Sequence, residues 1–242
     1  MSRGIIVIPT YNEKENVPLI LEKVFDQGLD LDVLIVDDSS PDKTAELVQS
    51  YIDTDRFEGR LNLMVRKVKD GLGRAYIAGF KWALAREYAY IIEMDADLSH
   101  DPKYLHDFIR EIKAYDLVIG SRNVEGGGVL NWPASRKLIS AGGSLYSRLI
   151  LGVNIKDVTG GFKCFRREVL ETIDLDNLIT TGYAFQIEMN YQSAIRGFKI
   201  KEVPIIFEDR VHGYSKMSKK IFIEALMKVV VLRLNKNKIL KG

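Results

Sequence analysis

Across residues 4–119 short apolar runs alternate with helical stripes, and this alternation restricts the fold more than any other feature. Gly4-Ile5-Ile6-Val7-Ile8, Val33-Leu34-Ile35-Val36, Leu61 to Val65, Tyr88 to Ile92 and Leu117-Val118-Ile119 have strand length and composition. Between them, apolar residues recur at helical spacing. They are Val17, Ile20, Leu21 and Val24, then Ala45, Val48 and Ile52. Ala75, Ala78, Gly79, Trp82 and Ala83 follow, and after Pro102 come Leu105, Phe108, Ile109 and Ile112. A parallel pair of strands needs a crossover, and a helix making that crossover buries its stripe on the sheet. Strands buried on both faces read as unbroken apolar runs, as these do. The chain is therefore expected to be α/β, a Rossmann-like, mostly parallel sheet with helices on both faces.

In such sheets ligands bind beyond the carboxyl ends of the strands. Polar clusters stand there: Pro9-Thr10-Tyr11-Asn12-Glu13, Asp37-Asp38-Ser39-Ser40, Asp95-Ala96-Asp97 and Ser121-Arg122. Asp95 and Asp97 are spaced i and i+2. If the extended backbone continues through them, both carboxylates share one face and repel unless a cation lies between them. A hard divalent ion accompanied by a diphosphate suits that pair. Glycine-rich phosphate cradles of the dinucleotide and P-loop types are absent, as is a Gly-x-Ser-x-Gly elbow. His100, His106 and His212 are too scattered to suggest a zinc site or a triad. Cys164, the one cysteine, excludes an intramolecular disulfide and reads as a buried structural thiol between Phe162 and Phe165.

Beyond residue 120 the alternation breaks. Gly126-Gly127-Gly128 reads as a flexible hinge, and Trp132-Pro133 opens a helix carrying Arg136, Ser140 and Arg148. Residues 157–165 suggest a loop and short strand, with a helix near 184–196 and a strand at 203–207. Net charge is +2, but residues 199–242 hold 11 Lys/Arg against 4 Asp/Glu, which leaves the rest of the chain at −5. From Ile221 to Leu234 the polar residues Glu224, Lys228 and Arg233 form a narrow stripe on an otherwise apolar helix. That pattern suits a core helix, a membrane-surface helix or a docking site for a membrane partner. The helix reaches about 21 Å, short of a hydrocarbon core of about 30 Å. Lysines 216, 219, 220, 236, 238 and 241 flank it and favour anionic headgroups. There is no signal peptide and no span-length apolar run, so a cytoplasmic location, peripheral on a membrane, is expected. The basic end lacks interleaved aromatic residues, so nucleic acid is not an expected partner.

Taken together, the motifs resemble glycosyltransferase family 2 enzymes of GT-A fold, and within them the dolichol or polyprenol phosphate mannose synthase group. The residues carrying the likeness are those of the four rim clusters, extended through Leu98-Ser99-His100. To these add Trp132-Pro133 with Arg136-Lys137-Leu138-Ile139-Ser140, and Asp209-Arg210 with Ser215-Lys216. The resemblance implies inverting transfer of mannose from GDP-mannose to a dolichyl or polyprenyl monophosphate. It implies that Pro9, Tyr11, Glu13, Val36 and Asp38 hold the guanosine. Asp95, Ala96 and Asp97 would hold ribose, diphosphate and Mg²⁺ or Mn²⁺. Ser99 stands as a third metal ligand where some relatives carry Gln. Arg122, Arg136 and Ser140 would bind the acceptor phosphate, Arg122 would also contact the nucleotide sugar and act with Asp95 and Asp97 as a catalytic residue, and Arg210 and Lys216 would close over the diphosphate. Glu188 occupies the place of an acidic group near the acceptor and is expected to orient rather than deprotonate.

On this reading residues 1–217 form the catalytic domain, 1–120 for the nucleotide sugar and 121–217 for the acceptor. Residues 218–242 form a basic amphipathic helix facing a membrane surface or a small membrane-anchoring subunit. Many relatives carry C-terminal transmembrane helices, and none is present through Gly242. A polyprenyl-phosphate glucosyltransferase using UDP-glucose is the alternative in the same class. A non-catalytic nucleotide-sugar-binding subunit is the alternative of another class, and intact Asp95, Asp97, Arg122 and Arg210 weigh against it.

Overall fold

A computed structural model of the chain describes residues 3–180, 182, 184–208 and 219–241. Its first half follows the alternation: β1 (Gly4–Thr10), α1 (Asn16–Phe25), β2 (Leu31–Asp37), α2 (Thr44–Asp53), β3 (Leu61–Val65), α3 (Leu72–Leu84), β4 (Tyr90–Glu93), α4 (Leu105–Glu111) and β5 (Leu117–Ser121). The second half adds β6 (Gly128–Val129), α5 (Ala134–Leu151), β7 (Lys163–Arg166), α6 (Arg167–Thr172) and α7 (Ala184–Ile195). It ends with β8 (Ile200–Pro204), β9 (Ile206–Phe207), α8 (Lys219–Leu234) and α9 (Lys236–Ile239).

The main sheet runs β3-β2-β1-β4-β7-β5-β8, and β6 pairs with β9 in a small second sheet. All pairings are parallel except those of β7, which lies antiparallel between β4 and β5 with Cys164 opposite Ile92 and Val118. The short strand expected near 157–165 is thus a central strand. Burial there pushes the Cys164 thiol pKa up, as suits a structural cysteine. Alternate residues of β1 and β2 serve opposite faces. Val7 and Val36 meet Tyr76, Phe80 and Ala83 of α3, while Ile6 and Ile35 meet Val17, Ile20 and Leu21 of α1. Gly79 lets α3 settle on β1: a Cβ there would stand 2.3 Å from a Val7 methyl carbon.

Two expectations change. Gly126–Gly128 is no free hinge. Gly128 and Val129 pair with Ile206 and Phe207, and a Cβ on Gly127 would lie 2.5 Å from the Ser121 carbonyl oxygen. The last helix is neither wholly core nor wholly surface. Val229 and Leu232 are buried as α8 packs on α5 and α7, whereas Met227, Val230, Val231 and Leu234 are exposed. Among the described residues no helix is long and apolar enough to cross a membrane.

Candidate active site

Strand order reverses between β1 and β4, so their carboxyl ends splay apart and leave a crevice. A cavity of about 400 Å³ opens there, lined by Pro9, Thr10, Tyr11 and Glu13 after β1, Asp38 after β2 and Asp95, Ala96 and Asp97 after β4. Ile179, Thr180 and the α8 residues Glu224, Ala225 and Lys228 complete part of its wall. Asp37 and Asp38 divide their work. Buried Asp37 accepts hydrogen bonds from the Thr10 hydroxyl at 2.8 Å and the Ser40 amide at 2.8 Å, tying the two strand ends together. Asp38 faces the cavity and pairs with Arg66 at 2.7 Å. Burial raises its pKa, and the guanidinium opposes that rise. The Lys69 ammonium stands 3.2 Å from the centroid of the Tyr11 ring, on the cavity wall. Val36 is fully buried against α3 and is not among the lining residues.

The Asp95–His100 segment is a turn, not a continued strand, since β4 ends at Glu93. Asp95 and Asp97 both line the cavity, and the chain turns back after them with Leu98 in the left-handed region at φ 65°. His100 Nδ1 accepts the Asp95 amide hydrogen at 3.0 Å, so this nitrogen carries no proton. Burial lowers the His100 pKa against the pull of Asp95, and the ring stacks on Phe162 at 4.9 Å. The Tyr76 hydroxyl donates to Asp95 Oδ1 at 2.8 Å, and Asp95 Oδ2 accepts no hydrogen bond among the described residues. Asp97 Oδ1 accepts from the Ser99 hydroxyl at 2.5 Å and its amide at 3.2 Å. Ser99 thus spends its proton on Asp97 and braces it. Behind the turn, Glu93 and Lys163 are fully buried with 3.6 Å between Oε2 and Nζ. Burial lifts Glu93 to about 7, with Lys163 opposing and Asp95 adding.

Arg122 leaves β5 into a fixed geometry. Its Nε and Nη2 donate to the two oxygens of Asp157 at 2.7 Å each, and Nη2 also donates to Thr159 Oγ1 at 2.9 Å. Burial drives Asp157 upward, but the guanidinium outweighs it and holds the carboxyl below its usual range. The Arg122 guanidinium carbon lies 5.7 Å from the Trp132 ring centroid, and that of Arg136 lies 3.8 Å from the same ring. Ser140 follows Arg136 by one turn of α5, on the same face. The structure thus gathers Arg122 and Arg136 about Trp132, outside the residues lining the cavity. Arg210 and Lys216 lie outside the described residues.

Glu188 accepts the Ile179 amide at 3.0 Å, the Thr180 amide at 2.8 Å, the Thr180 hydroxyl at 2.7 Å and the Gln192 side-chain amide at 3.0 Å. Both oxygens are engaged in shaping the cavity wall. Sequence reasoning missed Asp157, Lys69, Lys228 and the role of His100. Only His100 had a local signal, being adjacent to the acidic turn; the others meet the site through contacts distant in sequence.

Asp95 and Asp97 fit a divalent ion in one specific way. Among the described residues no group of three or more His, Cys, Asp or Glu could enclose a metal. Two carboxylates completed by phosphate oxygens is how Mg²⁺-type ions bind with nucleotides, and Asp95 keeps an oxygen available.

Fold and site together define a glycosyltransferase of GT-A type. The chain belongs to glycosyl transferase family 2, whose profile matches residues 5–174. It is 47% identical over 228 residues to an undecaprenyl-phosphate mannosyltransferase of Micrococcus luteus, covering 94% of this chain and 92% of that one. It is 46% identical to a polyprenol monophosphomannose synthase of Mycolicibacterium smegmatis, covering 94% of this chain and 85% of that one. Among solved structures it resembles a mannosyl-3-phosphoglycerate synthase of Rubrobacter xylanophilus, with TM-score 0.70, 17% identity, and 98% and 75% of the two chains covered. It also resembles a mannosyltransferase of Pyrobaculum calidifontis in complex with GDP-Man and Mn²⁺, with TM-score 0.62, 17% identity, and 98% and 64% covered.

Proposed function

We propose that this chain transfers mannose, with inversion, from GDP-mannose to the phosphate of a polyprenyl or dolichyl monophosphate, using Mg²⁺ or Mn²⁺. The observation that carries this reading is one cavity joining Tyr11, Glu13 and Asp38 to the Asp95–Asp97 pair, in a chain 47% identical to an enzyme named as an undecaprenyl-phosphate mannosyltransferase. Tyr11, Glu13, Asp38 and the Pro9 backbone bind the nucleoside, with Val36 acting through its main chain. Asp95, Ala96 and Asp97 take the ribose and diphosphate. Asp95 and Asp97 hold the ion, which when bound neutralises the leaving diphosphate. Arg122, locked by Asp157, presents a fixed cation with Arg136 and Ser140 to the acceptor phosphate, and Arg210 and Lys216 close over the diphosphate. A phosphate monoester has a second pKa near about 6, so the acceptor arrives as an anion and needs no base. The hydrogen-bonded state of Glu188 agrees with that economy.

Peripheral membrane attachment is part of the proposal. Helices α5 and α8 pack side by side, with Leu138 76%, Leu149 73% and Leu234 78% exposed, and Lys236 and Lys238 follow on α9. An apolar face beside basic residues suits a bilayer with anionic lipids, or a membrane subunit that docks in its place. Incubation with Mn²⁺, a polyprenyl phosphate and either GDP-mannose or UDP-glucose tests the chemistry. Mannosyl lipid is the expected product; glucosyl lipid instead overturns the donor, and no transfer from either overturns the function. Deleting residues 218–242 should release the protein from anionic liposomes, and unchanged binding would refute this attachment.

A further inference from the structure

Helix α8 has three distinct faces. Glu224, Ala225 and Lys228 line the cavity, Val229 and Leu232 are buried in the core, and Met227, Val230, Val231 and Leu234 are exposed. By sequence, Lys228 belongs to a narrow polar stripe on an otherwise apolar helix. In the fold Glu224 and Lys228 of that stripe line the cavity, while Arg233 is exposed and donates to the Leu151 carbonyl. The Lys228 ammonium makes one hydrogen bond among the described residues, a long one of 3.4 Å to the Ile179 carbonyl. No described carboxylate pairs with it. Glu13, Asp38, Asp95, Asp97 and Glu224 also line this cavity, and among the described residues the other lining cation, Lys69, is engaged with the Tyr11 ring. A cation in an acidic cavity, held only weakly by the protein, is poised for an anionic ligand. A lysine ammonium binds phosphate as a point charge with rotatable donors.

We propose that Lys228 is a phosphate-binding residue of this site, donating from α8 to a phosphate oxygen of a substrate. This rests on the function proposed above for the identity of the substrates. Two sources share the chemistry: the phosphate monoester of the lipid acceptor and the diphosphate of the donor. The placement carries a consequence for either. The helix offering its exposed face to a bilayer also supplies a ligand within the cavity, so membrane seating and phosphate binding depend on one rigid element.

The test uses the full chain with Lys228→Met, which keeps the apolar stem, and Lys228→Arg, which keeps the charge. GDP binding with Mn²⁺ is measured by calorimetry without lipid, and acceptor KM is measured with a short polyprenyl phosphate in detergent at saturating GDP-mannose. Lys228→Met should weaken one of the two by about tenfold or more, with Lys228→Arg recovering most of it. A raised acceptor KM with unchanged GDP affinity assigns the lipid phosphate; weakened GDP affinity assigns the donor diphosphate. Both unchanged in a folded Lys228→Met protein overturns the proposal. Should Lys228→Met not fold, Lys228→Gln replaces it under the same criteria. Wild-type protein that transfers no mannose, with Lys228→Met weakened for GDP, overturns the function proposed above but not the role of Lys228. No transfer with unchanged GDP affinity overturns both.

Discussion

Asp157→Ala should destabilise the protein and loosen the acceptor site together. In the native structure the Asp157 side chain is fully buried and accepts Nε and Nη2 of Arg122 at 2.7 Å each, and the Arg122 amide at 3.0 Å. Alanine removes these three bonds and a fourth, from the Thr159 hydroxyl at 3.2 Å, and leaves a guanidinium with only 12% of its side chain exposed. Thr159 Oγ1 then remains its described acceptor. Stripping one partner from a buried pair costs about 3–5 kcal/mol, against a total stability of about 5–15 kcal/mol. At about 2–4 °C per kcal/mol for a chain of this size, the melting temperature should fall by about 6–20 °C. By contrast, Asp101→Ala, breaking the Lys103–Asp101 pair on the surface, should cost about 0–1 kcal/mol of pairing energy, beyond any loss from its own cap on the turn that follows. Scanning calorimetry measures the fall, and steady-state kinetics should show a raised acceptor KM with GDP affinity preserved. A melting temperature within about 2 °C of wild type would show that Arg122 does not rely on Asp157. Asp157→Asn, which keeps one acceptor oxygen, should fall between the two.

Other outcomes follow from the same geometry. His100 is buried with its pKa lowered below its ordinary 6.5, so its stability contribution is complete above 6.5 and drains as pH falls towards the folded value. The loss reaches up to about 1.4 kcal/mol per pH unit in that window, and His100→Asn, which keeps an acceptor for the Asp95 amide, should flatten the pH dependence of melting. Glu188→Gln places an amide donor where amide hydrogens already point, so melting temperature should fall and donor KM should rise; a kcat loss with unchanged melting would instead make Glu188 a base. Leu149→Glu on α5 should weaken co-sedimentation with anionic liposomes while leaving GDP binding intact, and unchanged sedimentation would refute the α5–α8 face as the membrane contact.

Much of this fold was legible along the chain because it is locally encoded. Val17, Ile20, Leu21 and Val24 announce one buried helical face, and Val33-Leu34-Ile35-Val36, the apolar centre of β2, is covered on both sides. The rim clusters were legible for a related reason: a parallel sheet sends every strand's carboxyl end to one edge, so polar residues after strands must meet there. Asp95 and Asp97 do line the cavity at that rim, but on a turn rather than an extended strand: β4 ends at Glu93, and the Asp95 amide is held by His100.

Tertiary structure decided what spacing cannot carry. The insertion of β7 antiparallel between β4 and β5 depends on how the chain returns from α5, and no local pattern specifies a strand's neighbours. Arg122 finds Asp157 35 residues onward, and Lys228 reaches the Ile179 carbonyl 49 residues back. A side chain's period fixes which face it shares with its own neighbours, and the sequence alone determined those faces. Which face meets solvent, core or cavity is set by packing of the whole chain, and only the folded structure placed Glu224 and Lys228 of α8 on the cavity wall.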